Sequence, residues 1–132
     1  INFNDFIENF LVLFVRIMTL SSRFSENFNK TLWLYWSDHI EKAPLFVQLC
    51  YEKIKMACEK DNWNLVLLTD ENLPQYIPNF KAISGYQKQG QHPEWIAVYA
   101  DLIRFTVLDE HGGVWLDVST MLIHDLTWLE NL

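Results

Sequence analysis

Trp95-Ile-Ala-Val-Tyr-Ala-Asp101-Leu-Ile-Arg104-Phe-Thr-Val-Leu108-Asp-Glu-His-Gly112-Gly113-Val-Trp115-Leu-Asp117 is the stretch that decides the architecture. From Trp95 to Glu110 apolar side chains occupy almost every face, which predicts a helix buried on several sides. Gly112-Gly113 ends it, because glycine accepts positive φ without a Cβ clash. The apolar run Val114 to Asp117 then reads as a strand. Working outward, Leu32-Trp-Leu-Tyr-Trp36 reads as a buried strand. Pro44 marks a helix start, and Val47, Cys50, Tyr51, Ile54 and Cys58 follow at helical spacing. Asn64 to Thr69 is a second strand, Leu73 to Phe80 a short helix plus turn, and residues 84–93 a loop. A fourth extended segment is expected from Val118 to Ile123. Strand, helix, strand, helix, strand at this spacing predicts an α/β sheet with parallel crossovers.

Composition narrows the function. The chain has 132 residues, of which 50% are apolar and 20% charged, so a disordered or low-complexity chain is excluded. A net charge of −7 argues against general nucleic-acid binding, since phosphate backbones need a basic surface. One phosphorylated ligand remains compatible, because a local pocket can oppose the global sign. Cys50 and Cys58 lie about 12 Å apart if helical, beyond disulfide reach, and read as buried thiols in a reducing compartment. The first residues carry acid where a signal peptide would carry base. Phe3, Phe6, Ile7, Phe10, Leu11, Phe14, Ile17 and Met18 predict an amphipathic helix over residues 1–20, packed on its own domain or docked on a membrane surface or partner.

Chemistry concentrates near Arg104. Asp101 and Arg104 stand three residues apart on one face of an otherwise apolar helix, so each charge must be paired or must face a cleft. They form either a local ion pair, worth a few tenths of a kcal/mol if exposed, or a polar notch that holds a ligand hydroxyl or phosphate. Asp117 ends its strand, where open α/β sheets bind ligands. With Ser119 and Thr120 it offers oxygen donors suited to Mg²⁺ or Mn²⁺. The four histidines lack metal-ligand spacing. No P-loop or G-x-G-x-x-G sequence occurs, and no nucleophile with a paired base is legible.

The run from Ala100 to Asp117 resembles the Ser-Asp-x-x-Arg…Leu…Gly-Gly-x-Tyr/Trp-x-Asp-x-Asp signature of DxD glycosyltransferases of the family 32 type. Trp115-Leu-Asp117-Val-Ser119-Thr is closer still to the bacterial capsular polysaccharide synthesis protein family. That family also has an aromatic strand like Leu32 to Trp36, a segment like Ala43-Pro44-Leu-Phe-Val47, and a strand and Asn like Leu65 to Asn72. The similarity covers about residues 31–126. It implies a GT-A-like α/β fold that binds a nucleotide-diphosphate sugar. By motif position Trp36 would stack on the base, and Asp101 and Arg104 would hold sugar and phosphate oxygens. Trp115 would lie near the ribose, and Asp117 would contact the ribose or a divalent ion.

Two positions depart from the signature. Ser119 replaces the second acid, so a Mn²⁺ or Mg²⁺ ion would rest on Asp117 and the Ser119 hydroxyl, and Ala100 replaces the usual Ser. The resemblance implies a retaining hexosyltransferase of surface polysaccharide synthesis, with a glycan acceptor, no nucleic acid and a cytoplasmic, membrane-associated setting. A non-catalytic nucleotide-sugar-binding or scaffolding module is the alternative. Residues 1–28 are expected to form a helical segment, and residues 29–132 the donor-binding part of a longer domain. No individual catalytic residue is assigned.

Overall fold

A computed structural model describes residues 29–80 and 93–130 of the chain. The first strand, β1 (Thr31–Tyr35), leads through a single 3-10 turn at Ile40–Lys42 into helix α1 (Leu45–Asp61). Strand β2 (Asn64–Leu68) and the one-turn helix α2 (Leu73–Tyr76) follow. The long helix α3 (Pro93–His111), the short strand β3 (Val114–Trp115) and a last turn of helix, α4 (Thr127–Glu130), complete the described chain. The sheet runs β2-β1-β3, and both pairings are parallel. The expected helix over residues 1–20, and all but the last residue of the expected loop 84–93, lie outside the described residues.

Side-chain alternation divides the strands between two helical layers. Leu32 and Leu34 of β1 face Val47, Ile54 and Cys58 of α1. Trp33 packs the other way, with Ile103 and Val107 of α3 and Leu73 of α2. Leu65 and Leu67 of β2 join the first cluster, and Val66 and Leu68 join the second. A strand buried on both faces needs the continuous apolar run seen in β1, since neither face is left for water. Cys50 and Cys58 are buried free thiols. Burial, with the Asp61 and Glu59 charges adding to it, pushes the Cys58 thiol up to about 11, so Cys58 stays protonated at neutral pH and is a packing residue.

Each element stops for a local reason. Pro44 caps α1, and Asn62 closes it in the left-handed conformation, with its N–H donating to the Cys58 carbonyl. At the end of β2, Asn72 accepts from the Thr69 N–H at 2.8 Å and donates to the Leu67 carbonyl at 2.9 Å. Those two bonds fix the turn into α2. The Gly112 N–H donates to the Leu108 carbonyl at 2.9 Å, closing α3 with φ at +67°.

The third strand is shorter than expected, and residues 118–123 do not form a fourth. β3 pairs with β1 at two positions, and the Leu116 N–H extends the ladder to the Trp33 carbonyl. The Thr120 N–H then donates to the Asp117 carbonyl at 2.9 Å, which turns the chain away from the sheet. Asp117, Ser119 and Thr120 are residue types that favour turns over ladders.

The approach of β3 to β1 depends on the glycine pair. A Cβ at Gly113 would stand 2.5 Å from the Thr31 carbonyl oxygen and 2.9 Å from Trp33 Nε1, at φ +93°. A Cβ at Gly112 would meet nothing within 4 Å. Gly113→Ala is therefore expected to cost about 3 kcal/mol, through backbone displacement plus strain. Gly112→Ala should cost about 1 kcal/mol, through its positive φ alone. Urea unfolding of both variants checks the order, and equal costs would show that β3 tolerates displacement from β1.

Candidate functional site

The site is built on the second face of the sheet, where α3 passes the carboxyl end of β3. Ile103 and Val107 anchor the buried side of α3, which leaves Asp101 and Arg104 half-buried beside them. The glycine turn and the β1 register (Trp33 opposite Trp115) bring Asp117 to the same place. Arg104 bridges the two acids. Its Nη1 lies 3.4 Å from Asp101 Oδ1, and its Nη2 donates to Asp117 Oδ1 at 3.3 Å. The Trp115 indole N–H donates to that same Asp117 oxygen at 3.2 Å. The Arg104 guanidinium carbon sits 5.5 Å from the centre of a Trp115 ring, within cation–π range.

Of the two readings of Asp101 and Arg104, the ion pair is present. The Arg104 side chain is 22% exposed and that of Asp117 is 65% exposed. Arg104 Nε is buried without a hydrogen-bond partner. A guanidinium carries several N–H donors in a fixed fork. Among the described residues only the Nη2 contact to Asp117 satisfies one of them as a hydrogen bond. Arg104 is therefore held between two carboxylates, with its Nε buried and unbonded.

Asp101, Arg104, Trp115 and Asp117 form one contact network. Trp36 lies just beyond β1, with its N–H donating to the Leu68 carbonyl at 3.0 Å, and it packs on the first cluster, on the α1 side. Ser119 is exposed in the turn after Asp117.

Sequence reading missed a second polar group at the carboxyl end of the sheet. The Tyr35 hydroxyl donates to Asp70 Oδ1 at 2.7 Å, and the Tyr35 ring stands 6.1 Å from that of Tyr99. Strand alternation was the available signal, since it sends Tyr35 to the same face as Trp33. A cleft of about 550 Å³ opens elsewhere, beside Asn29, Thr31, Asn64, Tyr76 and His111. It is lined by none of the expected site residues.

A divalent cation fits this donor set in a minimal way. Asp117 is exposed, its Oδ2 has no partner among the described residues, and the Ser119 hydroxyl is two residues on. Magnesium-type sites often use one or two carboxylates, with water and substrate phosphate completing the shell. Among the described residues no group of three or more His, Cys, Asp and Glu side chains gathers to form an all-protein cage.

The profile of the capsular polysaccharide synthesis protein family matches residues 2–130. The chain belongs to that family. Membership points to a role in surface polysaccharide synthesis, and the network just described falls within the matched residues. No curated protein and no solved structure matches the chain. None of the described helices is long and apolar enough to cross a membrane.

Burial raises the Asp101 carboxyl above the ordinary carboxylate range; the Arg104 charge opposes that shift and the Asp117 charge adds to it. A group that holds its proton more tightly in the folded state favours folding most at low pH. That contribution is lost as pH rises from about 4, the ordinary Asp value, through the raised one. Relative to Asp101→Asn, the unaltered protein should therefore lose stability as pH rises from about 4 towards neutrality. Urea midpoints of the two proteins across that range check it, and parallel curves would show that Asp101 titrates normally.

Proposed function

We propose that this chain is the donor-binding part of a glycosyltransferase with a GT-A-like arrangement, which transfers a hexose from a nucleotide-diphosphate sugar to a glycan acceptor in bacterial surface polysaccharide synthesis. One observation carries the reading: Asp101, Arg104, Trp115 and Asp117 converge at the carboxyl end of a parallel strand, where such sheets bind ligands. Family membership supports it. In the reaction, the bond from the anomeric carbon to the diphosphate breaks and a bond to an acceptor oxygen forms. The bonding pair leaves on the diphosphate oxygen, which can take up the proton that the acceptor hydroxyl loses, and the resemblance implies retained configuration.

Each residue has a task suited to its chemistry. The Arg104 fork takes phosphate oxygens and stabilises the charge that collects on the leaving diphosphate. Asp101 accepts hydrogen bonds from sugar hydroxyls. Trp36 packs on the α1 side and stands outside the network; by motif position it would offer its ring to the base from the end of β1. Asp117 and Ser119 would hold a Mn²⁺ or Mg²⁺ ion, whose contribution when bound is to offset diphosphate charge. Ser119 in place of a second acid favours one further reading, a module that binds the nucleotide sugar without turning it over.

Calorimetric titration with uridine and guanosine diphosphate sugars, with and without Mn²⁺, tests the proposal. Binding of one nucleotide class is expected, weakened by about ten- to a hundredfold in Arg104→Ala, which removes a charged hydrogen-bond donor. Asp117→Ala should abolish the Mn²⁺-dependent part. Binding without sugar release or transfer in a turnover assay would favour the non-catalytic module, and a folded chain that binds none of the panel would sink the donor-site reading.

A further inference from the structure

Trp115 has more contacts within the site than a platform for a ligand would have. Its ring packs against the second core cluster, and the Arg104 guanidinium lies 5.5 Å from a ring centre. Its N–H is spent on Asp117 Oδ1 at 3.2 Å. An indole N–H can only donate, and here its acceptor is the carboxylate that also receives Arg104 Nη2 at 3.3 Å. One side chain thus touches both charged groups that bear on the diphosphate and its cation.

The energetics explain why such a group is needed. Asp117 is 65% exposed, and an exposed carboxylate paired with a single cation is held weakly, by no more than about a fivefold bias. Arg104, with Nε buried and unbonded, has no hydrogen bond of its own beyond the one to Asp117 among the described residues. Left to themselves, the two side chains would hold each other through one long contact at the edge of the sheet. Trp115 closes this into a triangle: N–H to Asp117, ring to Arg104, and Arg104 to Asp117. The two-residue strand β3 and its register with Trp33 fix the Trp115 backbone, so the triangle is referenced to the sheet.

We propose that Trp115 is a positioning residue which, through its indole N–H and its ring, holds Asp117 and Arg104 in the arrangement that receives a nucleoside diphosphate. This role rests on the donor-site reading and differs from a direct contact with the ribose. Its ring lies against Arg104 and its N–H holds one Asp117 oxygen, Oδ1, which leaves Oδ2 without a partner among the described residues.

Trp115→Phe separates the parts, because it keeps an aromatic ring at this position and removes the donor. The affinity of the full chain for uridine or guanosine diphosphate in Mn²⁺, whichever binds the tighter, is expected to fall about fivefold in Trp115→Phe. In the Asp117→Ala background, the same substitution should have almost no further effect on the binding that remains, since the N–H then has no acceptor at position 117. That coupling is insensitive to a general loss of stability, which would lower both pairs alike, and the exposed position of Asp117 makes its variant well suited as the second arm. Equal losses in the two backgrounds would overturn the inference by showing that Trp115 touches the ligand itself, and undiminished affinity in Trp115→Phe would overturn it too. Failure of the unaltered chain to bind either nucleotide would instead remove the donor-site reading, and this role with it.

Discussion

Gly113 lies against β1 so closely that a methyl group there would stand 2.5 Å from the Thr31 carbonyl oxygen. A Cβ at its neighbour Gly112 would meet nothing within 4 Å, so the limit falls on Gly113 alone of the pair. The constraint joins a nineteen-residue helix to a two-residue strand with no loop beyond the glycine pair. Because the reversal is so tight, β3 enters the sheet beside β1, and its carboxyl end lies level with the middle of α3. Asp117 and Arg104, thirteen residues apart, meet there. The site is a consequence of that turn.

Trp33 makes the turn rigid from the other side. Its indole N–H donates to the Gly112 carbonyl at 2.9 Å, which gives a buried donor its partner at the point where the helix ends. Its rings meet Tyr76 edge-on at 5.5 Å and His111 at the same separation. His111 Nε2 lies 2.7 Å from the Tyr76 carbonyl, and since a carbonyl only accepts, that nitrogen carries the proton. The carboxy-terminal ends of α2 and α3 are thereby tied to one residue of the central strand, so the glycine turn cannot open without losing these bonds as well.

The fold was legible where patterns were long and repeated. β1, α1, β2 and α3 follow from apolar runs and helical spacing, because burial on both faces of a parallel sheet demands those runs. The end of the sheet was less legible. Val118 is buried and Leu122 packs on the first cluster, so the segment after Asp117 has a strand-like composition, yet the Asp117–Thr120 turn overrides it with a single local hydrogen bond. Apolar content reports burial and does not by itself distinguish a ladder from a packed coil. At the site, helical spacing placed Asp101 beside Arg104, and the strand-end rule placed Asp117. The cross-contact from Arg104 to Asp117, the Trp115 donor and the Tyr35–Asp70 bond depend on register between elements, which no single segment encodes.

Charge counting clarifies what this arrangement asks of a ligand. Two carboxylates surround one guanidinium in a chain whose net charge is −7, so Arg104 is the local exception to the general sign. Asp101 bears the cost of that exception, because burial disfavours its ionised form and its carboxyl holds its proton more tightly. Asp117 stands exposed. A diphosphate brought to Arg104 would meet Asp117 at close quarters, and on the proposed reading a cation at Asp117 removes that repulsion without disturbing Asp101. With Ser119 supplying a neutral oxygen in place of a second carboxylate, the protein contributes less charge to hold such an ion, and the diphosphate itself must contribute more. Cation and nucleotide would then bind together better than either alone, because each supplies charge that the other needs.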